Sequence, residues 1–265
     1  MQCPICDGPL APFIKKDFRG EFGLNVVEYR RCKACGLAIS KTHFDMSDQA
    51  WEELNHACHS SVFGGDHNPM DPRWVERLSA QRDNLVHLAK EGLLPRHRPW
   101  LDYGSGDGKL ADMLGENRLP TLKYDKYMPL SGPGTIGDEA LTQKFSVVIN
   151  TSVFEHVRSV DPLDEITNLV DDDGTLALHT MIREEIPNDP TWFYYLPVHT
   201  MFFTNKSMQI LFERWQFKAS IYHVPSRMWF AYRNEPPALA NFVKRQRATG
   251  ADDFHYKRGF VDYWK

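Results

Sequence analysis

The chain has 265 residues, 42% of them hydrophobic and 25% charged, with a formal net charge of −4. That is a globular composition, long enough for one α/β domain of ordinary size plus a small accessory module. The acidic balance weighs against nucleic-acid and anionic-membrane partners. No apolar run reaches the roughly 18–20 residues that cross a bilayer, and Met1-Gln2-Cys3-Pro4 lacks the charged, then apolar, start of a secretory leader, so a cytoplasmic site is expected.

Residues 1–45 carry four of the five cysteines as two Cys-x-x-Cys pairs, Cys3/Cys6 and Cys32/Cys35, with strand-like text over 24–29 between them. Each pair sets two thiols across a tight turn, and Gly8 and Gly36 suit such knuckles. Four thiolates reaching one ion at about 2.3 Å make a closed tetrahedral site, which is structural because no position remains for water or substrate. A redox dithiol is the competing reading, and no thioredoxin-like βαβ unit surrounds either pair. Zinc is therefore expected to hold a segment too short to bury a core of its own. His56, Cys58 and His59 form a second apparent cluster, but their spacing scatters them over helix faces, so surface and packing roles are expected.

Residues 46–98 read as helical cover. Asp71-Pro72 opens a helix on which Trp74, Leu78, Leu85 and Leu88 recur at near-helical spacing, ending around Gly92 and Pro95. From 99 to 235 strands and helices alternate: a strand at 100–103, a helix at 109–114, a strand at 121–124, a β-branched strand at 145–149 and a helix at 162–170. Asp173-Gly174 then turns into a strand at 175–179, followed by a helix at 206–215 and strands at 218–223 and 228–232. This predicts an α/β domain, a mostly parallel sheet with helices on both faces. Residues 236–265 read as a basic amphipathic helix over 237–247 and a polar tail. Lys244, Arg245 and Arg247 are expected to form a solvated face.

The text Leu101-Asp102-Tyr103-Gly104-Ser105-Gly106-Asp107-Gly108 lies between strand and helix, where a glycine-rich turn lets backbone approach a ligand. Asp102 sits two residues before the first glycine. A carboxylate there can receive the ammonium of an amino acid, whereas it would repel a pyrophosphate. Asp125, ending the next strand, is placed to grip ribose hydroxyls, with a turn aspartate as the competing reading. Asp138 lies where a third strand should end; an adenine contact and a plain turn role both fit it.

This text resembles the class I S-adenosylmethionine-dependent methyltransferases, in particular those with an N-terminal zinc ribbon. The resemblance rests on the Asp-x-Gly-x-Gly-x-Gly loop, on Phe145 to Val157, on Asp171 to Leu178 with Gly174, and on Pro197 to Thr204, similar to a lid segment of that family. It implies a Rossmann-like seven-stranded sheet with a small zinc-ribbon module in front. It also implies S-adenosylmethionine as donor: Asp102, Gly104 and Gly106 on its methionine part, Asp125 on the ribose, Asp138 on the adenine, and Asn150 and Thr151 lining the transfer site. Relatives that methylate quinone precursors carry an extra acid three positions before the Glu-His pair. Here that position is Ser152, so Glu155-His156 alone predicts no catalytic metal.

Methyl transfer from a sulfonium needs alignment above all, and a hydroxyl acceptor gains from a base. His156 and His199 are the candidate bases, and His179 is expected to pack. Trp192, Phe193, Tyr194 and Tyr195 can lay flat faces on an acceptor or close as a lid, with Trp192, Tyr194 and Tyr195 as the substrate candidates. The expected acceptor is a hydroxyl, or else a carbon, of a sugar, a glycan end or another small molecule. An RNA base methyltransferase and a non-catalytic donor-binding regulator are the alternatives.

Overall fold

The computed structural model describes residues 1–62, 73–128, 131–248, 250 and 253–263. The N-terminal strands are β1 (Leu10–Asp17), β2 (Val26–Cys32) and β3 (Ala38–Ser40), followed by helices α1 (Lys41–Phe44), α2 (Asp48–Val62) and α3 (Trp74–Lys90). Next come β4 (Trp100–Tyr103), α4 (Lys109–Glu116), β5 (Thr121–Tyr124), β6 (Phe145–Thr151), α5 (Asp161–Asn168) and β7 (Val170–His179). The chain ends with β8 (Ile182–Arg183), β9 (Met201–Thr204), α6 (Asn205–Arg214), β10 (Ala219–His223), β11 (Met228–Tyr232), α7 (Leu239–Ala248) and β12 (Phe254–Arg258). No helix among the described residues is long and apolar enough to cross a membrane.

The main sheet has seven strands in the order β12-β10-β11-β7-β6-β4-β5. Pairs β5/β4, β4/β6 and β6/β7 are parallel, and β7/β11, β11/β10 and β10/β12 are antiparallel, so five of the seven strands share one direction. The centre is β7, and beside it lies β6, whose first six residues are all buried, as befits a β-branched strand covered on both faces. One hydrophobic cluster, with Leu85, Leu88, Leu114 and Phe242, packs helices on one face; another, with Leu163, Ile166, Leu211 and Phe212, covers the other.

Three features depart from the sequence expectation. The third strand is reduced to a single parallel bridge, Lys123 to Thr135. The seventh strand comes instead from the expected polar tail, where β12 zips along β10 over five residue pairs. Its side chains are half-buried or exposed, so it carries the weak hydrophobic signal of an edge strand. Finally, 170–179 is one strand rather than a turn at Asp173-Gly174. Phe145 faces Val170 but Val147 already faces Thr175, so the extra residues of β7 are absorbed in a register shift. The helix predicted from Asp71-Pro72 is present from Trp74; its expected opening lies outside the described residues.

The N-terminal strands form a second sheet, β1-β2-β3-β9-β8, shared with the segment after β7. Ala38 pairs with Phe202 and Ile39 with Met201. The strand expected at 24–29 starts later, at Val26, because a 3-10 turn over Glu21–Gly23, with Phe22 at φ 49°, ends the hairpin loop. The cysteine knuckles rest on α6: Arg214 donates to the Ile5 carbonyl at 2.6 Å and the Thr204 hydroxyl to the Cys35 carbonyl at 2.5 Å. Cys3, Ile5 and Cys35 belong to the same apolar cluster as Leu163 and Leu178. The N-terminal module is thus stitched to the rest of the chain by strand pairing with β9 and by core contact with the main sheet.

Candidate functional site

The first cluster is that of Cys3, Cys6, Cys32 and Cys35, whose sulfurs all lie within 4.8 Å of one another. Cys3 Sγ is 3.6 Å from Cys35 Sγ, and Cys6 Sγ is 3.5 Å from Cys32 Sγ. Tetrahedral sulfurs about 2.3 Å from an ion stand roughly 3.8 Å apart, so the four thiols fit one zinc. Backbone amides of Ala34 and Cys35 point at Cys32 Sγ at 3.3 and 3.5 Å. Each knuckle has a left-handed residue directly after its second cysteine. In the second it is Gly36 (φ 79°), as expected; in the first it is Asp7 (φ 54°) rather than Gly8. Gly8 is needed for space, since a Cβ there would lie 2.8 Å from Ala34 Cβ.

The second site is a cavity of about 1600 Å³ over the carboxyl ends of β4, β5, β6 and β7, roofed by α2 and α3 through Trp51, Asn55, His59, Trp74 and Arg77. At one side lies the glycine loop. Asp102, at 1% exposure, leaves Oδ1 buried with no hydrogen-bond partner among the described residues. Burial, and then the nearby Asp125 and Asp107, push its carboxyl up to about 7. An orphaned buried carboxylate in a cavity wall fits a ligand ammonium. Gly104 (φ 72°) cannot carry a side chain, because a Cβ would sit 2.3 Å from Val153 Cγ2. That contact presses the loop onto the turn after β6. Gly106 (φ 58°) has open space where a Cβ would be, so ligand can approach its backbone.

Asp125 accepts from the Gly106 amide through Oδ2 and from the Tyr127 and Met128 amides through Oδ1, each at 2.9 Å. It therefore clamps the loop as well as lining the cavity. Asp138 lines the cavity too and accepts from the Tyr124 hydroxyl at 2.7 Å. Thr151 is in the wall, whereas Asn150 is fully buried behind it and donates to the Tyr103 carbonyl at 3.2 Å. The alternation of a strand puts neighbouring side chains on opposite faces, so only one of the two reaches the cavity.

The same cavity holds Glu155, His156 and His199, with their ligand atoms within 4.8 Å of one another. The imidazoles of His156 and His199 meet edge to face, centroids 4.8 Å apart. Thr200 binds the segment of His199 to the turn of Glu155: its amide donates to the Glu155 carbonyl at 2.7 Å, and its hydroxyl to the carbonyls of Glu155 and Val157. Glu155, 2% exposed, accepts from the Tyr194 hydroxyl at 2.7 Å and from the Thr180 hydroxyl at 2.8 Å. Burial raises the Glu155 carboxyl, lowers His156 to about 4, and holds His199 well below the usual imidazole range. Both imidazoles are therefore neutral at pH 7.

Of the aromatic run, Tyr194 reaches the cavity, as does the exposed Phe193. Trp192 and Tyr195 do not. They pack with Tyr29 and Phe202 under the N-terminal sheet, and the Tyr195 hydroxyl donates to the Pro187 carbonyl at 2.9 Å. The segment expected as a lid ends in β9, whose four residues are all buried, so there it is a fixed strand. His59, expected on a helix surface, faces the cavity with its ring 5.5 Å from His156. Its spacing alone could not show which helix face the tertiary fold would cover. His179 lines the cavity and bonds the Arg227 carbonyl at 2.8 Å.

A family model described as a methyltransferase domain matches residues 73–223, more than half of the chain. The chain belongs to this methyltransferase family. Together with the sheet order, this makes it a class I S-adenosylmethionine-dependent methyltransferase, as the sequence resemblance implied. Among solved structures, the methyltransferase is similar to the magnesium protoporphyrin IX methyltransferase of Synechocystis PCC 6803. With bound S-adenosylmethionine that structure gives 15% identity and a TM-score of 0.48, over 72% of this chain and 99% of that one. It is also similar to the plantazolicin methyltransferase BpumL in complex with S-adenosylhomocysteine, with 11% identity and a TM-score of 0.40, over 82% of this chain and 91% of that one. No curated protein matches it.

Proposed function

We propose that this methyltransferase moves a methyl group from S-adenosylmethionine to a hydroxyl of a sugar, a glycan end or another small molecule. The observation that carries the reading is one cavity with two chemically distinct sides. An orphaned carboxylate and a glycine cradle form one side, and two neutral imidazoles beside a buried glutamate form the other. Asp102 would take the donor's ammonium, Gly104 and Gly106 the backbone of its methionine part, Asp125 the ribose and Asp138 the adenine. Thr151 lines the same cavity. The cavity exceeds the roughly 300–1,000 Å³ of an ordinary small-molecule pocket, so donor and a sizeable acceptor can share it.

The acceptor oxygen attacks the methyl carbon in line, the S–CH₃ bond breaks with its electron pair returning to sulfur, and S-adenosylhomocysteine leaves. The acceptor proton goes to the corner of His156 and His199, whose uncharged rings present lone pairs at neutral pH. Of the run 192–195, Tyr194 and Phe193 offer aromatic faces to the acceptor. Zinc on Cys3, Cys6, Cys32 and Cys35 is proposed as structural.

The test is a radiolabelled methyl-transfer assay against nucleotide sugars, glycan extracts and total RNA in parallel. Label in sugar-bearing fractions is expected. Label only in RNA would overturn the acceptor class. His156→Ala or His199→Ala should lower kcat by about 10² to 10⁴ with S-adenosylhomocysteine affinity nearly intact, and full activity in both variants would remove the base.

A further inference from the structure

The sequence predicts no metal beside Glu155-His156, because Ser152 offers no ligand in that turn. The fold brings another from elsewhere. His199 lies in the strap leading into β9, which Thr200 fastens to the Glu155 turn, and the three ligand atoms converge within 4.8 Å. All three residues line the cavity.

The surrounding hydrogen bonds decide which atoms are free to ligate. His199 Nδ1 is 2.8 Å from the Tyr194 carbonyl. A carbonyl only accepts, so Nδ1 carries the proton and Nε2 the lone pair. The ring of His156 faces the Val198 backbone carbonyl, while its Nδ1 is closed to solvent and has no hydrogen-bond partner among the described residues. That nitrogen is a buried lone pair with nothing to accept from. The Glu155 carboxylate is oriented by two hydroxyls, Tyr194 on Oε1 and Thr180 on Oε2. An imidazole anchored on a carbonyl through one nitrogen and a carboxylate pinned by hydroxyls are the outer contacts that orient metal ligands. Burial disfavours the charged form of Glu155, an effect that Arg77 opposes only in part, and a bound cation would favour the carboxylate further.

We propose that Glu155, His156 and His199 hold a divalent transition-metal ion, zinc or a close relative, with open positions facing the acceptor side of the cavity. Two imidazoles and one carboxylate select such an ion over magnesium or calcium, which want oxygen ligands. Three protein ligands leave a position for a substrate oxygen, unlike the closed cysteine site. The inference rests on the reading of this corner as the acceptor site, and it changes the part of the histidines from base to ligand. Bound there, the ion would make a coordinated acceptor hydroxyl more acidic, so that its proton could pass to water while its oxygen takes the donor methyl and the S–CH₃ electron pair returns to sulfur.

The experiment is calorimetric titration of the full chain, its cysteine site already filled with zinc, with Zn²⁺ and separately with Mg²⁺. One further zinc equivalent and no magnesium binding are expected. Glu155→Gln and His199→Ala should each weaken that second zinc by tenfold or more, with S-adenosylhomocysteine binding as the check on folding. Absence of a second equivalent in the unmutated protein overturns the proposal whether or not the variants fold, and so does unchanged affinity in both folded variants. The outcome is separable from that of the acceptor assay. Hydroxyl methylation at full rate with only the cysteine-bound zinc removes the ion and leaves the acceptor reading. A second zinc with label only in RNA does the reverse.

Discussion

The cysteine cluster and the Glu155-His156-His199 corner are built on opposite plans. The first draws its groups from two tight turns joined by one hairpin, so each pair is assembled by local backbone geometry. The second draws on a turn after β6 and on a strap more than forty residues further on, brought together by the hydrogen bonds of Thr200. The two are nevertheless linked, because β3 follows the second knuckle and pairs with β9, directly after His199. A metal held at the N-terminal module would therefore steady a strand that adjoins the proposed acceptor side.

That linkage can be broken most forcefully at the cysteines. Cys32→Ser should lose the bound zinc and, with it, several kcal/mol of stability, a Tm drop of roughly 10 °C. Hydrogen exchange should report loss of protection in β9 as well as in β1 to β3. A metal-free protein with an unchanged melting profile, or protection lost in β1 to β3 alone, would separate the two regions.

The next effect is on acid stability. His43, beside the N-terminal sheet and fully buried, is pushed down to about 4 by that burial, against about 6.5 in an unfolded chain. Between those values the unfolded chain binds the extra proton, so stability is lost as pH falls from about 6.5 to 4. The loss for this one group is on the order of 3 kcal/mol. Melting from pH 7 to 4 should show the decline, to which the similarly lowered His156 and His199 add, and His43→Gln, if it folds, should remove about 3 kcal/mol of it.

Smaller effects sharpen the donor side. Asp125→Ala should weaken S-adenosylhomocysteine by about 1 to 3 kcal/mol, through lost charge-assisted bonds to ribose and through the freed Gly106 amide. Equal calorimetric affinity in variant and parent would place the ribose elsewhere. Asp102 must be ionised to receive an ammonium, and its carboxyl is held near 7. Affinity should therefore rise with pH below 7, by up to about tenfold per unit, and level off above it. Asp102→Asn should bind weakly at every pH; a parent protein with no pH dependence would contradict the assignment.

Much of this was legible before any coordinates. The glycine loop, the run of β6 and the paired cysteines are short-range patterns whose chemistry depends on neighbours in the chain. Their placement followed from spacing and periodicity alone. The loss of the third strand and the gain of β12 were not legible, since an edge strand has one partner, polar faces and little hydrophobic signal. Nor was the division of 192–195, in which Tyr194 turns to the cavity while Trp192 and Tyr195 sink against Tyr29 and Phe202. The sequence by itself determined the class of fold, the glycine cradle and the four thiols. Only the tertiary structure decided that Asn150 stands behind the wall, that His59 looks into the cavity, and that His199 meets Glu155 and His156. Those relations depend on which faces pack and which distant segments share hydrogen bonds, and no local pattern encodes them.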